Sequence, residues 1–169
     1  MNDIDFAALE VERDRLLARA RTILMAAPVK GDEVTGDTPE MGVTPVIRHD
    51  GGMFIYPSRL SAHVRAMLAV GRAAFLVIED ESEAQNIWAR KRIKFNAQIK
   101  EINRKSSDFS DVCDVFAARH GPTMGLIRDF TDFHLLRLRP TNGLMVLGFA
   151  QAFRLEGPDL VVTEHLRQG

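Results

Sequence analysis

The side chains of this sequence whose chemistry goes beyond packing are five histidines, a single cysteine, an Arg90-Lys91-Arg92 cluster, and two aspartates bracketing a phenylalanine. His63 falls in the first turn or two of a predicted helix. A neutral imidazole there either packs, or donates to a carboxylate or phosphate, or binds a metal. His165 lies in what the sequence marks as a polar tail, where a histidine is either inert or reaches over a pocket as an axial ligand to haem iron. His49 in a turn and His134 on a strand are expected to face solvent, and His120, before Gly121-Pro122, to cap a helix end. Arg90 and Arg92 open an alternating segment. On one strand face their guanidiniums can fork onto carboxylates or phosphates; alternatively they form a charged edge that resists aggregation. Asp129 and Asp132 are too close in sequence to serve as a general acid and base without supporting geometry, and capping is the alternative. Cys113 sits among Val112, Val115 and Phe116 as a packed thiol. There is no G-x-S-x-G, no phosphate-binding glycine loop and no CxxC pair.

These residues need a scaffold, and the pattern of apolar residues suggests one. Residues 5–25 predict a helix, with Leu9, Leu16, Leu17, Ala20, Ile23 and Leu24 on one stripe. Residues 27–42, with three glycines and two prolines, predict a mobile linker. Val43–Arg48 and Met53–Tyr56 flank the turn signal His49-Asp50-Gly51-Gly52 and predict a hairpin. Ser58 or Ser61 then caps a helix running to about Val70 and ended by Gly71. Ala73–Ile78 is a buried strand. Arg90–Arg104 is a long alternating strand with a break in phase near Glu101, and Ser107–Arg119 is a helix. Phe133–Leu138, Leu144–Leu155 and Leu160–Thr163 are strands, separated by turns at Pro140–Gly143 and Gly157–Asp159. Tight turns in place of helical crossovers favour an antiparallel barrel with peripheral helices, an α+β chain that is mainly β. The expected organisation is one domain over residues 1–169: N-terminal helix 1–26, linker 27–42, barrel 43–163 and tail 164–169.

Composition narrows the function classes. Hydrophobic residues at 46% and charged residues at 27% are a globular balance, and the formal net charge of −1 gives no global field for nucleic acid or an anionic membrane. No apolar run approaches the ~20 residues that span a bilayer. One cysteine permits no internal disulfide, and Met1–Arg21 lacks a secretory pattern, so a cytoplasmic protein is expected.

The stretch from Gly51 to His63, Gly-Gly-Met-Phe-Ile-Tyr-Pro-Ser-Arg-Leu-Ser-Ala-His, resembles the HugZ/HutZ-type haem-utilisation proteins. These are relatives of the pyridoxamine 5′-phosphate oxidase-like flavin-binding split barrels. Ile78–Glu81, Ala89–Ile93, Asp132–Leu135 and Gly148–Ala152 match in the same order, so the resemblance runs roughly from Pro45 to His165. It implies an antiparallel split β-barrel that forms a homodimer with ligand sites at the subunit interface. It further implies that His165 ligates haem iron, with Asp132 accepting the free ring N–H. His63 and Arg92 would line the pocket, Arg92 suited to the propionates or to donating to dioxygen. Asp132 and Arg92 are thus the catalytic candidates. The implied function is haem binding in iron utilisation with oxidative degradation of haem; a non-catalytic haem carrier is an alternative. The other alternative is an FMN-dependent oxidoreductase, with Ser61, Arg59 and Arg90 near the flavin phosphate. Flavin relatives hold that phosphate with a Ser-Arg-Lys run, here Ser61-Ala62-His63. Two charge-assisted contacts, worth about 1.5–3 kcal/mol each, are therefore missing, which favours haem.

Overall fold

A computed structural model describes residues 5–28 and 38–166. Helix α1, Phe6–Arg19, begins where the Asp5 carboxylate accepts the Ala8 N–H. It stops well short of the predicted Met25. The chain turns at Ala20 and enters strand β1, Thr22–Ala27, where Ile23, Met25 and Ala27 are buried in alternation. These apolar residues suit a period of two as well as they suit a helical stripe, and pairing on both sides of β1 decides between the two. The predicted linker is also shorter than expected. Ala27 belongs to β1 and Glu40–Gly42 to strand β2, Glu40–His49, while residues 29–37 lie outside the described residues.

The hairpin forms as expected. Asp50 and Gly51 take positive φ values of 46° and 67° and lead into strand β3, Gly52–Ile55. Helix α2, Ala62–Val70, buries Val64 and Met67 and ends at Gly71 with φ 74°, before strand β4, Arg72–Ile78. Two short 3₁₀ turns, Glu81–Glu83 and Ile87–Ala89, connect it to strand β5, Arg92–Glu101. The irregularity in β5 falls between Asn96 and Ala97, not near Glu101. Helix α3, Ser107–His120, and the short helix α4, Thr123–Ile127, precede strand β6, Leu136–Gly148. Strands β7, Gln151–Glu156, and β8, Val161–Leu166, complete the sheet.

Strands β1 to β6 close on themselves in the order β3-β2-β1-β4-β5-β6, with β3 pairing back onto β6. The barrel is split along β6. Its first residues, Leu136–Leu138, pair with β3, whereas Asn142–Gly148 pair with β7 on the same side. The predicted turn at Pro140–Gly143 is therefore a continuous strand. Pro140 pairs with Ala97 beside the β5 irregularity, in the stretch between the two partners on its other side, where neither β3 nor β7 pairs with it. The predicted single strand Leu144–Leu155 is instead a hairpin turning at Phe149-Ala150, with Ala150 at φ 57°.

The barrel interior is filled by Ile23, Met25, Phe75, Ile93, Phe95, Leu136, Met145 and Leu155, all fully buried. The Phe75 and Phe95 rings stack at 5.4 Å. Burial of each such side chain contributes about 1.5–3 kcal/mol. A second cluster lies outside the barrel, where Phe109, Val112, Cys113 and Phe116 of α3 pack on Ile47, Phe54 and Tyr56. There, burial pushes the Cys113 thiol up to about 11. The native thiol is expected to stay unmodified by a disulfide reagent at pH 8 and to react promptly once denaturant unfolds the chain, followed by absorbance of the released thiolate. Among the described residues no helix is long and apolar enough to cross a membrane.

Candidate functional site

The sequence-predicted site residues fall into three groups. The first surrounds the chain between β3 and α2. The Ser58 hydroxyl donates to Asp132 Oδ2 at 2.5 Å and accepts the Leu60 N–H at 3.1 Å. The Arg59 N–H donates to the Asp132 carbonyl at 2.8 Å, and His134 N–H to the Pro57 carbonyl at 3.0 Å. Ser58 also forms a single antiparallel bridge to Phe133. Asp132 is thus held against the entrance to α2 by side chain and backbone together. Ser61 is the N-terminal residue flanking α2, yet its hydroxyl makes no capping bond; the local hydroxyl work falls to Ser58. The Arg59 side chain is exposed, and its carbonyl accepts from Arg65.

His63 leaves the first turn of α2 toward β2. A side chain at Gly42 would collide with its imidazole, so glycine there makes the seat for the ring. The ring is half-buried at the level of Met25 and Phe75, which share the Gly42 row of the barrel.

The second group is the β4–β5 connection. Arg90 is not on β5, so it does not share a strand face with Arg92, contrary to expectation. Its Nε and Nη2 both donate to the Glu79 carbonyl, at 3.2 and 2.5 Å, and Nη1 pairs with Glu81 at 3.1 Å. Arg90 is therefore committed to closing the loop. Arg92 opens β5 and donates to the Arg90 carbonyl at 2.9 Å.

The third group is His165. It is not in a loose tail; it lies on β8, paired with Phe153 of β7, and its ring stacks on the Phe153 ring at 4.8 Å. Of the predicted tail 164–169, Glu164–Leu166 belong to β8, with Glu164 and His165 polar residues on an edge strand where exposure is ordinary, and residues 167–169 lie outside the described residues. His165 Nε2 lies 2.9 Å from the Ala150 carbonyl, which only accepts, so this nitrogen carries the proton in that contact.

The registers locate Arg92 and His165 relative to each other. Ile78, Arg92, Val146, Ala152 and Leu166 form one row across the sheet, and Val77, Ile93, Met145, Phe153 and His165 form the next. Directly opposed residues share a face and adjacent rows alternate, so Arg92 and His165 occupy opposite faces of the same sheet end. Three strand spacings, about 14 Å, also separate them. Asp132 is farther away. It precedes Leu136 at the start of β6, while His165 is level with Met145, about 30 Å of extended strand later. Among the described residues no hydrogen bond joins any two of the three groups, and no cluster of three or more His, Cys, Asp and Glu residues forms a protein-only metal cage.

Three other side chains depart from expectation or were not anticipated. His134 does not face solvent: its Nδ1 meets Glu101 at 2.6 Å, and its Nε2 is buried with no partner among the described residues. His120, the last residue of α3, uses Nε2 on the Val46 carbonyl of β2 at 3.0 Å rather than on its own helix. Arg104, which carried no sequence signal beyond its charge, spans the loop that holds Asp132, donating to the carbonyls of Arg128, Phe130 and Phe133.

No family model matches the sequence. The haem oxygenase HutZ of Vibrio cholerae is 34% identical over 131 residues, covering 78% of this chain and 74% of HutZ. The crystal structure of HutZ, there called a haem storage protein, matches with a TM-score of 0.71 and 26% identity, over 89% of this chain and 98% of that one. Campylobacter jejuni ChuZ matches with a TM-score of 0.84 and 23% identity over 98% of this chain; this chain spans only 65% of the ChuZ length. A pyridoxinephosphate oxidase family protein from Clostridium acetobutylicum has the same fold, with a TM-score of 0.63 at 13% identity. The closed six-stranded barrel with β7 and β8 continuing from β6 is accordingly a split barrel of the pyridoxamine phosphate oxidase-like fold, and at the identity and coverage found with HutZ the chain belongs to the HutZ family.

Proposed function

We propose that this protein binds haem in cytoplasmic iron utilisation and degrades it oxidatively, acting as a homodimer. The observation that carries the reading is His165: in a chain 34% identical to a haem oxygenase, its imidazole is held on an ordered strand by the Ala150 carbonyl and the Phe153 ring. A carbonyl partner on one nitrogen fixes the tautomer and the ring plane, as it does for ligand histidines. Bound haem would supply the redox-active iron. His165 would hold that iron, Arg92, on the opposite sheet face from His165 within one chain, would reach a propionate only from the second chain, and His63 would close the pocket from its seat on Gly42.

Within one chain Asp132 cannot reach His165, so a shared site requires two chains, with the second chain's carboxylate accepting the Nε2 N–H in place of the Ala150 carbonyl when haem binds. The outer face of the sheet suits that pairing. Val43, Leu24, Leu76 and Leu144 lie in one outward row, interrupted by Lys94, and Met41 and Val43 are 64% and 61% exposed. Flavin mononucleotide fits less well, because Ala62 and His63 bring no fixed cation and Arg90 is already spent on Glu79 and Glu81.

Titration of the purified protein with hemin is expected to give a Soret band saturating at one haem per chain, and His165→Ala to abolish it. Absence of hemin binding by the unsubstituted protein would sink the reading. With reductant and oxygen supplied, bleaching of the band marks degradation, and a persistent band marks a carrier.

A further inference from the structure

The split in the barrel contains a cleft that none of the haem-site residues enters. It has a volume of about 650 Å³, within the range of small-molecule sites. Five cationic side chains line it, Arg13, Arg48, Lys100, Arg137, Arg139 and no others, against two carboxylates, Asp14 and Asp159. The cations come from four elements: α1, β2, β5 and β6.

Their charges are not equally available. Arg13 is buried and already committed to the Leu160 carbonyl at 3.0 Å and to Asp14 at 3.2 Å. Arg48 shares Asp14 at 3.5 Å. Arg137, Arg139 and Lys100 have no carboxylate partner among the described residues. Arg137 is nonetheless fixed in place: its guanidinium lies over the Phe54 ring at 5.7 Å, across the β3–β6 register. Lys100 pairs directly with Arg137 in the β5–β6 ladder, and Arg139 follows two residues on, on the same face. Like charges directly opposed across a ladder destabilise a sheet. Gly52 adds to the arrangement, since a β-carbon there would come within 3.1 Å of Arg137 Nε and 2.8 Å of the Phe54 ring. The fold thus gathers uncompensated cations at the one place where β6 has exchanged β3 for β7.

We propose that this cleft is a second ligand site, for a small, multiply charged phosphate or pyrophosphate group. Two guanidiniums and an ammonium arranged around one opening can contact a tetrahedral, multiply charged group from several directions, whereas a planar carboxylate is satisfied by one fork. The site is independent of the haem reading, because it uses none of the same residues.

Pyrophosphate titrated calorimetrically into the full chain at low salt is expected to bind at one site per chain, more weakly as salt rises. Arg139→Gln and Lys100→Gln are each expected to weaken it about tenfold or more. Arg139→Lys, which keeps the charge and loses the fork, should fall between. Both positions are exposed, so neither variant depends on the Phe54 contact for folding. Hemin binding should be unchanged in both. Lack of saturable pyrophosphate binding, or an affinity that neither glutamine variant alters, overturns the site. Citrate binding as tightly as pyrophosphate overturns its assignment to phosphate.

Discussion

Replacing Arg104 by alanine is expected to lower the unfolding free energy by about 2–4 kcal/mol. The guanidinium donates to the carbonyls of Arg128, Phe130 and Phe133 at 2.6, 2.8 and 2.6 Å, and lies over the Phe109 ring at 4.9 Å. It also lies 3.4 Å from the Tyr56 hydroxyl, which itself donates to the Arg128 carbonyl at 2.8 Å. The connection between α4 and β6 has little ladder of its own, so one side chain supplies donors that neighbouring strands supply elsewhere. Water can reach these carbonyls after truncation, which keeps the loss near the lower end for hydrogen bonds to a charged group. Lysine has one compact charge and no planar fork, so Arg104→Lys should recover less than half of the loss. Urea unfolding with an unchanged slope is the measurement, and a loss below about 0.5 kcal/mol would show that solvent already satisfies the loop. Because the same loop carries Asp132, hemin affinity should fall with it.

Much of the scaffold was legible because its signals are local. Asp50-Gly51 announces a turn needing positive φ, Gly71 ends a helix, and Phe109, Val112 and Phe116 mark one face of α3. The misreadings arise where a local pattern has two solutions. Ile23 and Met25 satisfy a helical stripe and a period of two, and only the partners β2 and β4 choose between them. Pro140-Thr141-Asn142-Gly143 has the composition of a turn, but it passes straight through because the barrel closes around it. His165 has no apolar neighbour pattern strong enough to mark an edge strand. The site itself was legible only in part. His63, Arg92, Asp132 and His165 could be singled out by type, but the Ser58–Asp132 contact joins residues 74 apart in the chain, and the Arg104 contacts span up to 48. Nor does spacing reveal that Arg90 is spent on a carbonyl eleven residues earlier, at the end of the neighbouring strand. These are consequences of closure, which a linear pattern does not encode.

The separation of Asp132 from His165 makes the strongest prediction about assembly. Dimers that combine one His165→Ala chain with one Asp132→Ala chain are expected to bind one hemin per dimer with unimpaired affinity. The His165→Ala homodimer should bind none, and the Asp132→Ala homodimer about 10–100-fold more weakly than the unsubstituted protein, the usual cost of losing the partner that orients a ligand histidine. The reasoning is geometric. Asp132 is anchored at the start of β6 by Ser58 and by the Arg59 N–H, and His165 is anchored near its far end by Ala150 and Phe153. The strand registers hold the two residues about 30 Å apart along β6, farther than any side-chain rearrangement spans, so a single chain cannot close the gap. In a mixed dimer whose sites draw one residue from each chain, one site keeps both side chains and the other loses both. Were each site built within one chain, the mixed dimer would contain no complete site, and its titration would show only the weak binding of the Asp132→Ala half. Differently tagged chains, co-expressed and purified through both tags, separate these outcomes by affinity: one hemin per dimer bound as tightly as by the unsubstituted protein, or one bound about 10–100-fold more weakly.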